Sequence, residues 1–185
     1  LAGRLVQEVD PAGLITTHAY ADGGRIVTNV LPGGATSVTE KYADGQSKSV
    51  TGTAGTAQYW EYGVNADGTR WIKEYAGSAG TNSPMWRKNT VDILGRTITE
   101  EKPGFGGSGS TPTVLTNTSF FNSIGQRVRT TTSGQADTLY EYNELGEPTR
   151  SGLDLNDNGA LDLAGPDRIS ESETSYQSDG GAWWQ

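Results

Sequence analysis

The sequence predicts an all-β fold in which tandem β-hairpins share one continuous, twisted or curled sheet. Short β-like runs that begin with glycine recur along the chain, and residues within them alternate with period 2. Apolar runs with the 3.6-residue period of a helix are absent. The 26 glycines, with 8 Tyr and 5 Trp, fit this fold, because strands need turn residues at their ends.

The recurring unit has the order strand, Gly-rich turn, strand ending in an aromatic residue, and Asn/Asp-x-x-Gly turn. The runs that define it are GRLVQEV at Gly3, GRIVTNV at Gly24, GQSKSVTG at Gly45, GTRWIKEY at Gly68, GRTITEE at Gly95, GQRVRTT at Gly125 and GEPTRSG at Gly146. Tyr20, Phe121 and Tyr142 stand four residues before such a glycine, and Val91 takes the same place. A unit of about 20 to 30 residues cannot bury a sheet face alone, so we expect neighbouring units to stack.

This motif resembles the YD repeat of Rhs proteins, toxin-complex shell proteins and teneurins. Its best copy is TLYEYNELGEP at residues 138–148, and DPAGLITTHAYADGGR at 10–25 is a second. The resemblance covers most of residues 1–150, with Ala21 and Val91 as departures from the motif. It implies a long sheet built hairpin by hairpin, which in larger members encloses a toxic C-terminal domain, and repeats that are suggested to bind carbohydrate. We expect residues 151–185 to hold a calcium-loop-like insertion and a further repeat, in one continuous domain cut from a longer protein.

The stretch DLNDNGALD at residues 154–162 has the pattern D-x-N-x-N-G-x-x-D, which matches the first nine positions of an EF-hand-like calcium loop. Calcium prefers six to eight hard oxygen ligands, and the glycine permits the sharp turn that aims them inward. The twelfth position is Gly165, so the usual bidentate Glu is absent. The alternative is a polar turn rich in Asx motifs. The predicted ligands are Asp154, Asn156, Asn158, the Ala160 carbonyl, Asp162 and, in place of the missing Glu, Asp167.

An aromatic cluster in QYWEYGVNADGTRWIKEY and just beyond it is the candidate ligand-binding surface. An exposed ring can pack on the apolar face of a pyranose, so exposed rings in a row would indicate a carbohydrate-binding module. The alternative is ladder packing across neighbouring strands. The residues concerned are Tyr59, Trp60, Tyr62, Trp71 and Trp86.

Composition argues against several function classes. The net charge of −8 and pI of about 4.6 do not favour phosphate binding, so we expect no nucleic-acid partner. There is no Cys, and His18 is the single His, so thiolate nucleophiles and Cys- or His-rich zinc sites are excluded. No apolar run approaches membrane-spanning length, so membrane insertion is not expected.

A catalytic pair of carboxylates is not apparent either. Glu100 and Glu101 are adjacent in a predicted strand and should face opposite sides, while Glu61 and Glu141 occupy matching repeat positions and suggest a structural rung or a solvated face. We therefore predict a non-catalytic scaffold or shell segment of a large secreted or cell-surface protein, whose partner is the rest of its parent polypeptide. The first alternative is a carbohydrate-binding module with glycan partners, and the second is a glycoside hydrolase-like enzyme.

Overall fold

The computed structural model describes residues 3–104, 113–179 and 182–184. Within these ranges the chain forms strands and two short 3-10 turns, Asp22–Gly24 and Gly80–Asn82, and no α-helix. The strands are β1 Gln7–Val9, β2 Ile15–Ala21, β3 Ile26–Val30, β4 Thr36–Lys41, β5 Ser47–Gly52, β6 Gln58–Val64, β7 Arg70–Ala76, β8 Trp86–Val91, β9 Thr97–Pro103, β10 Val114–Phe121, β11 Arg127–Thr132, β12 Asp137–Tyr142, β13 Pro148–Asp154, β14 Arg168–Glu171, β15 Gln177–Asp179 and β16 Ala182–Trp184. The predicted all-β class is confirmed.

Strands β1 to β14 form one antiparallel sheet in which the strand order follows the chain, and β15 pairs with β16 in a separate hairpin. The predicted sheet of consecutive hairpins is therefore confirmed. Backbone contacts divide the chain into two compact units, residues 1–95 with 102–113 and residues 96–101 with 114–185. The boundary near residue 150 rests on the sequence pattern alone and stays a prediction.

The same turn closes seven of the hairpins in the described part of the chain. In each, the glycine N–H donates to the carbonyl of the residue three positions earlier, and the glycine has a φ between 79° and 90°. This left-handed conformation is strained for residues with a Cβ, which is why glycine recurs there. The turns span residues 10–13, 31–34, 42–45, 65–68, 92–95, 122–125 and 143–146.

Asn or Asp at the first turn position stabilises the turn through its side chain. Oδ1 of Asn143 accepts hydrogen bonds from the N–H groups of Leu145 and Glu147, at 3.0 and 2.9 Å. Asp10 and Asn122 accept the equivalent pairs of hydrogen bonds. The Asx-turn chemistry therefore explains the Asn/Asp position of the sequence motif.

One predicted copy of the turn forms differently. After Tyr20, the chain makes the 3-10 turn Asp22–Gly24 instead, and Ala21 provides no side-chain hydrogen bond to it. Asp22 itself takes a φ of 48° and pairs with Arg25 at 2.5 Å. The copy of the motif with Ala21 in the Asn/Asp position therefore differs in backbone conformation from the seven recurrent turns.

Little apolar surface is buried by this sheet. Among the described residues, the apolar side chains that are buried are those of Tyr75, Leu139 and Leu161. Aliphatic residues at the turns are largely in solvent, as shown by Ile124 and Leu145, each 76% exposed. Within each unit the fold is therefore stabilised mainly by backbone ladders and cross-strand side-chain pairs.

Candidate functional site

The register of β6, β7 and β8 distributes the five candidate rings over both faces of the sheet. Tyr59 lies opposite Tyr75, which lies opposite Trp86, and Trp71 lies opposite Gly63. Trp60 and Tyr62 occupy the alternate positions of β6, so they project from the other face. The structure therefore brings Tyr59, Trp71 and Trp86 to one face and separates them from Trp60 and Tyr62.

Lysine ammonium groups lie over Trp71, Tyr75 and Trp86 on the first face. Lys73 Nζ lies 4.2 Å from the ring centroid of Trp86 and 5.0 Å from that of Tyr75. Lys88 Nζ lies 5.6 Å from the Trp71 ring. None of the five candidate rings is among the strongly exposed large side chains. The arrangement is that of ladder packing with cation–π contacts.

Tyr75 is the buried centre of this face. It is 6% exposed, and its hydroxyl donates a hydrogen bond to Glu61 Oε2. Burial, together with the Glu61 carboxylate, raises the pKa of the Tyr75 hydroxyl to about 12. The matching Glu141 lies 3.6 Å from Arg150. Glu61 and Glu141 thus both pair with neighbouring strands, as a structural rung would require.

On the opposite face, Tyr42 ties β6 to the preceding hairpin. Its ring meets the Tyr62 ring edge to face, with centroids 6.0 Å apart and planes at 84°. Its hydroxyl donates to the Trp60 carbonyl at 3.0 Å. The Tyr62 ring is therefore engaged by the sheet itself, and Trp60 is engaged through its backbone carbonyl.

A tyrosine contact recurs at the start and near the end of the repeat region. The Tyr20 hydroxyl donates to the Leu5 carbonyl at 2.8 Å, and the Tyr142 hydroxyl donates to the Arg127 carbonyl at 2.9 Å. In both cases the acceptor lies 15 residues earlier in the chain. The tyrosine of the motif thus bonds one strand to the backbone of another.

Arginine completes this contact, and the sequence motif alone did not indicate its role. Arg4 stacks 5.2 Å from the Tyr20 ring centroid and donates to the Gly23 carbonyl at 2.6 Å. Arg96 stacks 4.4 Å from the Phe121 ring. Each of these arginines directly follows a glycine of the repeat, and each ring precedes the next turn. The recurrent Gly-Arg pair was the signal that could have revealed the contact.

The candidate calcium loop joins β13 to β14 and is organised by a buried carboxylate. Asp154, the last residue of β13, is 3% exposed. Its Oδ1 accepts the Asn158 N–H at 3.2 Å, and its Oδ2 accepts the Gly159 N–H at 2.7 Å. The positive φ of Gly159 and of Asp157, 80° and 56°, permits the sharp turn. These backbone N–H groups supply the hydrogen bonds that a buried carboxylate needs.

The other predicted side-chain ligands join the same network. Asn156 and Asn158 donate from Nδ2 to Asp162 Oδ2, at 3.2 and 2.6 Å. Asp167 accepts the Leu155 N–H at 2.8 Å and the Asp162 N–H at 2.9 Å. These backbone hydrogen bonds, that of Asp162 first, lower the pKa of Asp167 below its usual value.

The Ala160 N–H donates to Asn158 Oδ1 at 2.9 Å, and ligation by the Ala160 carbonyl stays a prediction. In the ranges that the structure describes, no group of three or more His, Cys, Asp and Glu side chains is placed to hold a metal ion. The predicted set depends on Asn amide and backbone carbonyl oxygens in addition to carboxylates, which are the ligand types that calcium accepts. Calcium binding by this loop stays a prediction.

A polar groove on the second unit was not indicated by the sequence, because its lining comes from separate strands. It has a volume of about 430 Å³. The Thr130 hydroxyl is buried and has no hydrogen-bond partner among the described residues. The polar lining includes Glu100, Asn117, Ser119, Arg127, Thr130 and Tyr142.

Neither the surroundings of His18 nor the comparisons with known proteins assign a catalytic role to this chain. Nδ1 of His18 lies 2.8 Å from Asn29 Oδ1 on the neighbouring strand, so the ring is held by the sheet. No protein-family model and no curated protein matches the sequence. A helix long and apolar enough to cross a membrane does not occur in the described ranges.

Proposed function

We propose that this chain is a non-catalytic structural scaffold, a wall segment of a large secreted or cell-surface protein of the YD-repeat kind. The observation that carries the proposal is the sevenfold recurrence of one hairpin turn with the same glycine hydrogen bond. Glycine, Asx, tyrosine and arginine, the residue types that define the sequence motif, are used to hold strands together. Residues that are used for contacts between strands support a structural role more than a catalytic one.

The sheet order supports the same proposal. Each strand from β1 to β14 pairs with its neighbours in sequence, so stability is approximately a sum of nearest-neighbour terms. Such a sheet can extend hairpin by hairpin without a central core. The small number of buried apolar side chains in the described ranges is consistent with a wall whose faces are open to the parent protein.

Deletion of the first hairpin tests the scaffold proposal. A chain that starts at Ile26 should lose amide protection from hydrogen exchange in β3 and keep it in β6 to β8, because contacts are local. The matched control removes the same number of residues from a disordered tag fused to the intact chain. Loss of protection throughout the first unit would indicate one cooperative domain and contradict the proposal.

In this proposal, the loop that joins β13 to β14 in the scaffold also binds calcium. The oxygens of Asp154, Asn156, Asn158, Asp162 and Asp167 lie in one short loop, and a cation would replace the hydrogen bonds that now join amides to Asp162. Two Asn in place of Asp lower the charge of the site, which suits millimolar extracellular calcium. The proposed setting at the cell surface or outside the cell follows from the same affinity range.

Isothermal titration with calcium, and with magnesium for comparison, tests the loop. Calcium should bind at one site with an affinity in the range of about 0.1 to 1 mM. The Asp162→Ala variant should abolish the heat, and Asp67→Ala, which removes a hydrogen-bonded carboxylate from a turn of the first unit, should retain it. Equal binding by wild type and Asp162→Ala would reject the loop as the calcium site.

A carbohydrate-binding module is the second candidate, and the polar groove favours it more than the ring cluster does. Hydroxyl, amide, carboxylate and guanidinium groups converge there, as sugar hydroxyls require. A glycan array should be run with calcium and again with chelator. Binding that is lost in Asn117→Ala would locate the ligand in the groove, and binding lost in Trp71→Ala would locate it on the ring face. No binding by the folded chain would leave the scaffold proposal as the one supported.

A glycoside hydrolase has less support. Glycoside hydrolysis commonly uses two carboxyl groups that flank the scissile bond. In the described lining of the groove, Glu100 is the one carboxylic acid. Turnover of chromogenic glycosides that disappears in Glu100→Gln would overturn the non-catalytic proposal.

A further inference from the structure

The sequence contains one Asn-Gly pair, Asn158–Gly159, and the structure places it inside the loop between β13 and β14. Asparagine followed by glycine is the pair most prone to deamidation, because a residue without a Cβ lets the backbone nitrogen reach the side-chain amide. Asn is also among the thermolabile residue types. The surroundings of this pair decide whether the reaction can proceed.

We infer that Asn158 is a deamidation site that the hydrogen bonds of its own loop hold unreactive, and that its conversion to aspartate acts as a charge switch in the β13–β14 connection. The reaction needs only water. The Gly159 nitrogen loses its proton to base and forms a bond to Asn158 Cγ, and Nδ2 takes up a proton and leaves as ammonia. Water then opens the resulting cyclic imide, which gives aspartate or isoaspartate at position 158.

The nucleophile of this reaction, the Gly159 nitrogen, is held by a hydrogen bond to Asp154. The Gly159 N–H donates to Asp154 Oδ2 at 2.7 Å, and the Asp154 side chain is buried. Removal of the amide proton would break a charge-assisted hydrogen bond and place a nitrogen anion beside a carboxylate. Both effects disfavour the attack.

The electrophile, Asn158 Cγ, is held in place because both polar atoms of its side chain are hydrogen-bonded. Asn158 Nδ2 donates to Asp162 Oδ2 at 2.6 Å, and Asn158 Oδ1 accepts the Ala160 N–H at 2.9 Å. The side chain must leave both partners before Cγ can turn toward the Gly159 nitrogen. A hydrogen bond to a charged group is worth about 1.5 to 3 kcal/mol, so each charged contact should slow the reaction about tenfold or more.

Conversion would reverse the chemistry of the contact between positions 158 and 162. The Nδ2 donor would become a carboxylate oxygen that faces the carboxylate of Asp162, so a hydrogen bond would become a repulsion between like charges. The connection between β13 and β14 would loosen. If the loop binds calcium as proposed above, the added carboxylate would also supply a stronger ligand, and the cation would offset the repulsion.

We call the protection of Asn158 by these hydrogen bonds the deamidation lock. It is tested by incubation of the intact chain in mildly alkaline buffer, followed by peptide mapping with mass spectrometry. The conversion of Asn158 should be at least about tenfold slower than in a free peptide of residues 154–167. Asp154→Ala should raise the rate in the intact chain toward that of the peptide, and Asp67→Ala should not. Equal rates in the intact wild-type chain and the peptide would overturn the inference.

A second measurement covers the case in which Asp154→Ala unfolds the loop. Hydrogen exchange of the wild-type chain should show the Gly159 amide protected to a similar degree as amides of β13. Protection in β13 with free exchange at Gly159 would contradict the lock, because the nucleophile would then be accessible.

The switch is tested separately with Asn158→Asp, which creates the charge without the reaction. In chelator, this variant should lose amide protection at Leu155 and Asp162, and Asn158→Ser should lose less. Protection equal to that of the wild type would reject the switch. Addition of calcium then distinguishes the two proposals: restoration of protection supports the calcium loop, and no restoration rejects calcium binding while the deamidation lock stands on its rate data.

Discussion

The contact between Gly63 and Trp71 gives the sharpest stability prediction for this sheet. The two residues lie opposite each other on β6 and β7. A Cβ added to Gly63 would lie 2.3 Å from Trp71 Cε2 and Cζ2, whereas carbon atoms in contact stay about 3.5 to 4.0 Å apart. Since Gly63 does not have a positive φ, Gly63→Ala introduces no backbone strain in the folded chain.

The expected size follows from two opposing terms. Overpacking of a well-fitted site costs about 1 to 3 kcal/mol, and the indole must move by more than about 1 Å and give up its place on the strand. The loss of chain entropy in the unfolded state returns about 0.4 to 1 kcal/mol. Gly63→Ala should therefore lower the free energy of unfolding by about 1 to 2 kcal/mol.

Urea unfolding followed by tryptophan fluorescence measures this effect. Gly55→Ala is the matched control, because its added Cβ meets nothing within 4 Å and its φ is not positive. That control should stay within about 0.5 kcal/mol of the wild type. In a Trp71→Ala background, Gly63→Ala should become neutral or stabilising. The same loss with and without the indole would refute the steric argument.

Three further outcomes are expected. Asn143→Ala should destabilise its hairpin by about 1 kcal/mol, because two turn amides lose their acceptor, whereas Asn143→Asp should not; urea midpoints decide this. The pKa of Tyr75 is raised to about 12, so the unfolded chain loses this proton at a lower pH than the folded chain does. The free energy of unfolding should therefore fall by about 2 to 3 kcal/mol as pH rises from 10 to 12. The same fall in a Tyr75→Phe variant would contradict this. Because the pKa of Asp167 is lowered, its contribution is present above the unfolded pKa near 4 and is lost as pH falls through the lower folded value. Exchange of the Leu155 amide should therefore accelerate in acid, and acceleration that persists in Asp167→Asn would assign it to another group.

The hairpin order and the turns could be predicted from the sequence, because their signals are local. Glycine at a left-handed position and an Asx residue three positions earlier specify the turn at Asn143 without reference to the rest of the chain. The glycine is the part of this signal that all seven turns share, because the turns at Leu31 and Tyr42 form with the same glycine hydrogen bond and without an Asx residue at the first position.

The side-chain sites were less accessible to sequence reasoning, because they depend on register. Period 2 indicates that Tyr59 and Trp60 face apart. Only the pairing of β6 with β7 shows that Trp71 lies opposite Gly63, and only the pairing of β7 with β8 brings Lys73 to Trp86. The groove near Thr130 is lined by side chains from the four consecutive strands β9 to β12, and which of their residues meet there depends on the register between strands. The side chains of the calcium-loop pattern lie in one hydrogen-bond network, while the contact of the Ala160 N–H depends on backbone geometry that a residue pattern does not contain.

The uniform turns also constrain how such a chain can change its length in evolution. In an antiparallel sheet whose order follows the chain, the loss of one strand reverses the direction of every strand that follows it. The loss or duplication of a whole hairpin preserves all directions, and the recurrent turn provides equivalent junctions at seven places in the described part of the chain. Insertions and deletions among relatives of this chain should therefore remove or add strands in pairs, with breakpoints at the glycine turns.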